Sequence, residues 1–175
     1  MLSAPSVAGA AQPTPSFQDS AVGSGSTGFF TDFNFNVTSG PSGENPAGFT
    51  TTDAVGEHFV ASSITCLSVN GHTATFAGAL EPNSPGLTHF RVIVVDNGPA
   101  GSGLDTYAAE GLFAPVDCST PTASFQGTLT SGDIVVVDSP PPPTSKDQCK
   151  NGGYKQYGFK NQGQCVAFVE RGPKG

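Results

Sequence analysis

The sequence predicts an all-β fold: about eight antiparallel strands in an up-and-down, barrel-like meander, with a β-sandwich as the alternative. Three observations carry this. Between residues 28 and 138, short runs alternate apolar and polar side chains with period two, the mark of half-buried strands. Gly, Pro, Asn and Ser breakers separate the runs at short intervals, so sequential hairpins are the simplest connection. The chain is also poor in what a helical bundle needs: charged residues are 12% of 175, while Gly and Pro number 23 and 15. Closing such a meander removes the sheet edges, which so few charges defend weakly.

Residues 1–27 are mostly Ala, Ser, Pro, Gly and Thr and read as a disordered leader. Ala8-Gly9-Ala10 fits the small-residue pattern of a signal-peptidase site, although the charged and apolar regions expected ahead of it are missing. The leader therefore reads either as a signal-peptide remnant or as a flexible lead. The first strand places Phe29, Thr31, Phe33, Phe35 and Val37 on one face, with Phe30, Asp32, Asn34 and Asn36 opposite. Gly40-Pro41-Ser42-Gly43 breaks the chain, and Ala47 to Thr52 is a short second strand.

Between Glu57 and Leu80, two strand-like runs flank Asn70-Gly71, the preferred type I′ hairpin dipeptide. A two-residue loop there pairs Val69 with His72. It puts Leu67, Val69, His72, Ala74 and Phe76 on the core face, and Ile64, Cys66, Thr73 and Thr75 on the other. In the run Thr88 to Asp96, Phe90, Val92 and Val94 share one face, and His89, Arg91, Ile93 and Val95 the other. Asp96-Asn97-Gly98-Pro99 stops it, and Asp105 to Glu110 is a shorter strand. Ser124 to Leu129 and Asp133 to Asp138 flank Thr130-Ser131-Gly132, a tight-turn signal, and complete the set.

The body thus spans 28–138, and a Pro-rich linker 139–144 follows it. Pro140-Pro141-Pro142-Pro143 acts as a stiff polyproline II spacer reaching about 12 Å. Residues 145–175 have a different composition. Ser145 N-caps a short helix that Asn151-Gly152-Gly153 ends. Asn161 N-caps a second, in which Cys165, Phe168 and Val169 share one face, and Gly172-Pro173 stops it. Neither helix is long enough to be stable alone, so a cystine between them would fasten a helical hairpin, with Tyr154, Tyr157 and Phe159 filling the gap.

The net charge of −7 conceals a segregation. Before Ser145 a single basic residue, Arg91, stands against twelve acidic ones; beyond it six basic residues face Asp147 and Glu170. A body this acidic repels nucleic acid and anionic lipid, so no nucleic-acid partner is expected. Lys146, Lys150, Lys155 and Lys160 make the tail a candidate for a polyanion such as a cell-envelope polymer, the alternative being a solvated surface. No stretch reaches the roughly 18 apolar residues of a membrane-spanning helix. The four cysteines, Cys66, Cys118, Cys149 and Cys165, allow three pairings; their spacing favours Cys66–Cys118 and Cys149–Cys165. An even count with no C-x-x-C and no His at ligand spacing points to an oxidising compartment rather than to zinc.

The run Lys146-Asp147-Gln148-Cys149-Lys150-Asn151-Gly152-Gly153, followed by Phe159-Lys160-Asn161-Gln162-Gly163-Gln164-Cys165-Val166-Ala167-Phe168-Val169, resembles the ending of many uncharacterised secreted actinobacterial proteins. The body looks like the small β-domain that often precedes it, through Thr65-Cys66-Leu67-Ser68-Val69, Val94-Val95-Asp96-Asn97-Gly98 and Ser131-Gly132-Asp133-Ile134. Tyr154 stands where that pattern has Trp. The resemblance implies export and two disulfides; it brings no activity and no catalytic residues.

No catalytic constellation emerges from the residues, and neither G-x-S-x-G nor a nucleotide-binding glycine fingerprint occurs. His58, His72 and His89 all fall near strands, but nothing forces them together as metal ligands. Asp96, Asn97 and Asp105 are a weak calcium alternative: they supply oxygens in a Gly-rich loop, but off the EF-hand spacing, so a turn is the preferred reading. Arg91, His89, His58 and Glu110 are the candidate ligand-binding residues if a barrel mouth collects them. For Arg91 a surface or structural role is the favoured reading. The expectation is a secreted, monomeric, non-enzymatic protein, without cofactor, binding a small molecule or an extracellular partner. The rivals are a small extracellular barrel enzyme (cyclase, isomerase or hydrolase) and a structural or accessory surface domain. A deep pocket with convergent polar groups would favour the enzyme.

Overall fold

The computed structural model describes residues 15–54, 56–82 and 86–172. Residues 17–141 form a closed barrel of eight antiparallel strands, each hydrogen-bonded to its sequence neighbours and the last to the first. The strands are β1 (Asp19–Thr27), β2 (Phe30–Ser39), β3 (Ala47–Ala54), β4 (Glu57–Asn70), β5 (Thr73–Leu80), β6 (His89–Val95), β7 (Thr106–Leu112) and β8 (Phe125–Val137). The fold is the expected up-and-down barrel, and the expected number of strands is reached by a different division of the chain.

β1 lies in the segment expected to be a disordered leader. Its inward residues include Asp19, Ala21 and Gly23, so its period-two pattern is written in small side chains that carry little hydrophobic signal. Their smallness is what the barrel requires: a Cβ on Gly23 would stand 2.7 Å from the Phe35 ring. The leader's earlier part, including Ala8-Gly9-Ala10, lies outside the described residues. Conversely, the two strands expected around Thr130-Ser131-Gly132 are one strand, β8. Its first part pairs with β7 as far as Thr128, and its remainder pairs with β1 from Leu129. The apparent turn is a bulge, where Ser26 faces Ser131 and Thr27 faces Leu129. Ser26 Oγ fastens it through hydrogen bonds with Thr130 Oγ1 (2.9 Å) and Ser131 Oγ (2.8 Å).

Bulges also correct two predicted faces. In β2, Phe33, Phe35 and Val37 point inward as expected, but an irregularity between Phe30 and Asp32 turns Phe30 inward and leaves Phe29 and Thr31 exposed. In β4, an irregularity between Ile64 and Cys66 returns Ile64 to the core beside Leu67. The β4–β5 hairpin keeps Leu67, Val69, Ala74 and Phe76 on one face, yet its pairing differs: Val69 opposes Ala74, and the loop is Gly71-His72. Gly71 takes φ 59° at the first loop position while His72 does not adopt positive φ, the pattern of a type II′ turn. His72 is therefore exposed at the tip and not core-facing.

One half of the barrel is filled. Phe33 stacks on Tyr107 with centroids 4.0 Å apart, Phe35 packs against Phe76 at 5.2 Å, and Val94 and Ile134 complete the packing. Carboxylates tie the strand ends: buried Asp105 accepts from the backbone N–H of Asn97 (2.9 Å) and Ile134 (3.0 Å), half-buried Asp96 from that of Val136 (3.2 Å), and buried Asp19 from that of Ser139 (2.9 Å).

The second unit comprises residues 142–172 with Pro15 and Ser16. The disulfides are Cys66–Cys118 in the barrel and Cys149–Cys165 here. The first expected helix is a single 3-10 turn, Lys146–Cys149, where Gln148 Oε1 accepts from the backbone N–H of Ser145 (2.9 Å). A second 3-10 turn, Gly153–Tyr157, precedes α1 (Gln162–Arg171). Asn161 caps α1 by accepting from the Gln164 N–H at 2.9 Å. Pro143, Cys149, Tyr157, Phe159 and Cys165 are the buried residues of this unit, with Phe159 against Phe168 at 5.4 Å between ring centroids. No helix among the described residues is long and apolar enough to cross a membrane.

Candidate functional site

In an up-and-down barrel, alternate connections share an end. The β1–β2, β3–β4, β5–β6 and β7–β8 connections therefore surround the end opposite the filled half. That end holds a cavity of about 340 Å³, at the small end of the range for small-molecule sites. It exists because inward positions there carry small residues: Ala54 on β3, Ala61 on β4, Ala109 and Gly111 on β7. Larger apolar groups, Phe30, Phe59, Leu80, Phe90 and Val92, make the walls. Phe29 and Phe125, about half exposed, pack ring to ring at 5.2 Å where they line the mouth.

The cavity's polar lining consists of Thr50 and Thr52, inward neighbours on β3, with Glu57; Glu110 borders it from β7, but its carboxylate is held on the outer face. Thr52 Oγ1 shares a 2.6 Å hydrogen bond with the hydroxyl of Tyr107, which is fully buried. Burial pushes the Tyr107 phenol well above its ordinary range, only partly opposed by the Thr52 and Thr50 hydroxyls beside it, so it stays protonated. Thr50 is 4% exposed, and its Oγ1 lies beside the Tyr107 hydroxyl without a hydrogen bond of normal geometry to any protein group. Such an orphaned buried hydroxyl is unfavourable unless something else meets it. Sequence reasoning did not single out Thr50, Thr52 or Tyr107. The available signal was a lone Tyr within a strand, because a buried phenol nearly always has a partner.

The sequence-predicted residues separate. Arg91 points outward from β6, between cavity-lining Phe90 and Val92, but it is covered rather than solvated: only 8% of it is exposed. Its guanidinium pairs with Glu110 on the neighbouring β7 and donates to Thr120 O (3.0 Å) and Thr122 Oγ1 (3.1 Å) in the β7–β8 loop. Glu110 also accepts from the Ser124 N–H (3.2 Å) and hydroxyl (3.0 Å). Cys118, in the same loop, is bonded to Cys66 on β4, so the loop is held at both its middle and its end. His58 pairs with exposed Asp53, and His89 Nδ1 shares a 2.8 Å hydrogen bond with Thr88. Of the four candidate ligand-binding residues, Glu110 alone lines the cavity, and Arg91 and Glu110 alone are brought together.

Asp96 and Asp105 spend their oxygens on backbone N–H groups of β8 and of the loop itself, which is the turn role. Among the described residues no group of three His, Cys, Asp or Glu side chains converges as metal ligands. In the C-terminal unit, Lys146 pairs with Glu170 at 2.6 Å and Lys150 with Asp147 at 2.7 Å, while Lys155 and Lys160 are exposed. No protein-family model matches this chain, and no curated protein or solved structure is similar enough to count as a match.

Proposed function

We propose that the barrel is a non-enzymatic binding protein for a small, largely apolar molecule held in its mouth. The observation that carries this reading is the cavity of about 340 Å³, apolar on its walls and polar at Thr50, Thr52 and Glu57. Apolar concavity with a few placed polar groups is the general form of a small-molecule site. The enzyme reading is weaker. A pocket is present, but His58, His89 and Arg91 do not line it, and Glu110 is already bound to Arg91 and Ser124. Titration with N-phenyl-1-naphthylamine, a neutral dye bright only in apolar surroundings, tests the proposal. Saturable fluorescence at one dye per chain is expected; a linear, unsaturable response would reject it.

Export to an oxidising compartment is part of the same proposal, supported by two disulfides without free cysteine among the described residues and by the resemblance of the Cys149–Cys165 region to secreted proteins. The tail would contact envelope polyanions, with Lys155 and Lys160 the better candidates because Lys146 and Lys150 are internally paired. Removing residues 144–175 should abolish salt-dependent binding to isolated cell wall; unchanged, salt-independent binding would sink this part.

A further inference from the structure

We infer that the ligand is neutral and carries one hydrogen-bonding oxygen, an alcohol, phenol or ketone on a compact hydrocarbon frame, and that this oxygen meets the Thr50 hydroxyl. This rests on the cavity being a binding site, and it names the class of molecule that the cavity selects.

Three observations converge. Thr50 Oγ1 is buried, lines the cavity and closes no hydrogen bond of normal geometry, because the Tyr107 hydroxyl beside it is already committed to Thr52 at 2.6 Å. A ligand oxygen at Thr50 would satisfy a group that burial otherwise leaves unpaired, and a pure hydrocarbon could not. Next, the cavity offers an anion no cation. Arg91, the single basic residue of the barrel, is turned outward and engaged by Glu110, Thr120 and Thr122. Two charged residues border the cavity, both acidic: Glu57, and Glu110, whose carboxylate is held outside the barrel by Arg91 and Ser124. A carboxylate ligand would thus lose its hydration without gaining a partner, and it would approach a barrel with twelve acidic residues against one basic. Finally, the volume of about 340 Å³ and the Phe-lined walls suit a compact molecule better than a long acyl chain.

The experiment compares three molecules of one carbon skeleton by calorimetry on the full chain at pH 7.5: geraniol, its carboxylic acid (geranic acid) and the hydrocarbon β-myrcene. Geraniol is expected to bind at least about tenfold more tightly than geranic acid, and about fivefold more tightly than β-myrcene. Thr50→Val should erase the advantage of geraniol over β-myrcene, and Thr50→Ser should restore it; a thermal melt checks that both variants are folded. Equal or tighter binding of the acid overturns the inference, as does an alcohol advantage that survives Thr50→Val. If the dye and all three molecules bind alike, ligand selection fails while the binding function stands. If neither dye nor any of the three binds, both fail.

Discussion

Arg91 and Glu110 face each other across β6 and β7 on the outside of the barrel, and the β7–β8 loop covers them both. Their side chains are 10% and 11% exposed, so the pair works in a medium much less polarisable than water. Removing one partner strands the other. Arg91→Met should destabilise the barrel by about 3 kcal/mol in urea unfolding, and the double variant Arg91→Met/Glu110→Leu should recover most of that loss. A double variant as unstable as the single one would show that the guanidinium acts through its bonds to Thr120 and Thr122 instead.

Cys66–Cys118 holds the same loop from the other side, closing 52 residues of chain, whereas Cys149–Cys165 closes 16. On the chain-entropy account these are worth at most about 4 and about 3 kcal/mol. Cys66→Ala/Cys118→Ala should therefore lower the barrel's stability, and limited proteolysis should now cut between residues 113 and 124. Cys149→Ala/Cys165→Ala should instead unfold residues 145–172, a unit too small to hold together on its few buried side chains. Circular dichroism would show it as loss of the α1 signal with the strand signal kept.

Gly132 is the residue that makes β8 continuous. It has φ 99°, and a Cβ there would lie 1.9 Å from the Ser24 carbonyl oxygen on β1. Gly132→Ala meets both a backbone conformation that L-residues avoid and a collision with a partner strand. A loss of about 3 kcal/mol in equilibrium unfolding is expected, large for the addition of one methyl group. A loss below about 1 kcal/mol would mean that the β1–β8 seam relaxes freely.

What could be read from the sequence divides by whether the signal is local. Phe33, Phe35 and Val37, or Phe90, Val92 and Val94, announce strand and face together, because large apolar groups alternating with period two fit a half-buried strand and little else. β1 escaped because Ala21 and Gly23 are small in order to accommodate the Phe35 side, which is a property of the neighbour and not of β1 itself. The Gly132 region misled because a glycine with positive φ serves a turn and a bulge equally well. The cavity was illegible for a deeper reason. It is made of what Ala54, Ala61, Ala109 and Gly111 lack, and these come together only once β3, β4 and β7 have closed into one wall. Arg91 could be assigned to the outer face, but its burial comes from a loop some thirty residues further along the chain.

Asp19 contributes a pH dependence opposite in sign to that of Asp117, Asp147 and Glu170, whose hydrogen bonds hold their carboxyls below the ordinary range. Burial holds the Asp19 carboxyl above the ordinary range; the hydrogen bond from the Ser139 N–H opposes this, and Asp138 and Glu44 add repulsion. A folded-state value above the unfolded one means that the folded chain binds the proton more tightly. The stability it contributes is present below the unfolded value and is lost as pH rises through the folded value. Asp19→Asn keeps an oxygen for Ser139 and removes the titration. Its stability relative to the parent chain should thus improve between about pH 3 and about pH 6. A difference that stays constant over that interval would mean that Asp19 adds nothing to the pH dependence.

Filling the cavity separates binding from folding. Ala109 is buried on β7, faces inward, and lines the mouth near Val92, its partner on β6. Ala109→Leu adds three carbons to space that is already open, so overpacking strain should be small and added apolar contact should partly offset it. The melting temperature should move by no more than a few degrees, while affinity for N-phenyl-1-naphthylamine falls at least about tenfold. The contrast matters because a variant that merely disrupts the barrel would lower both. Undiminished dye affinity in a folded Ala109→Leu chain would place the dye somewhere other than the barrel mouth, and the cavity would lose its claim to be the binding site.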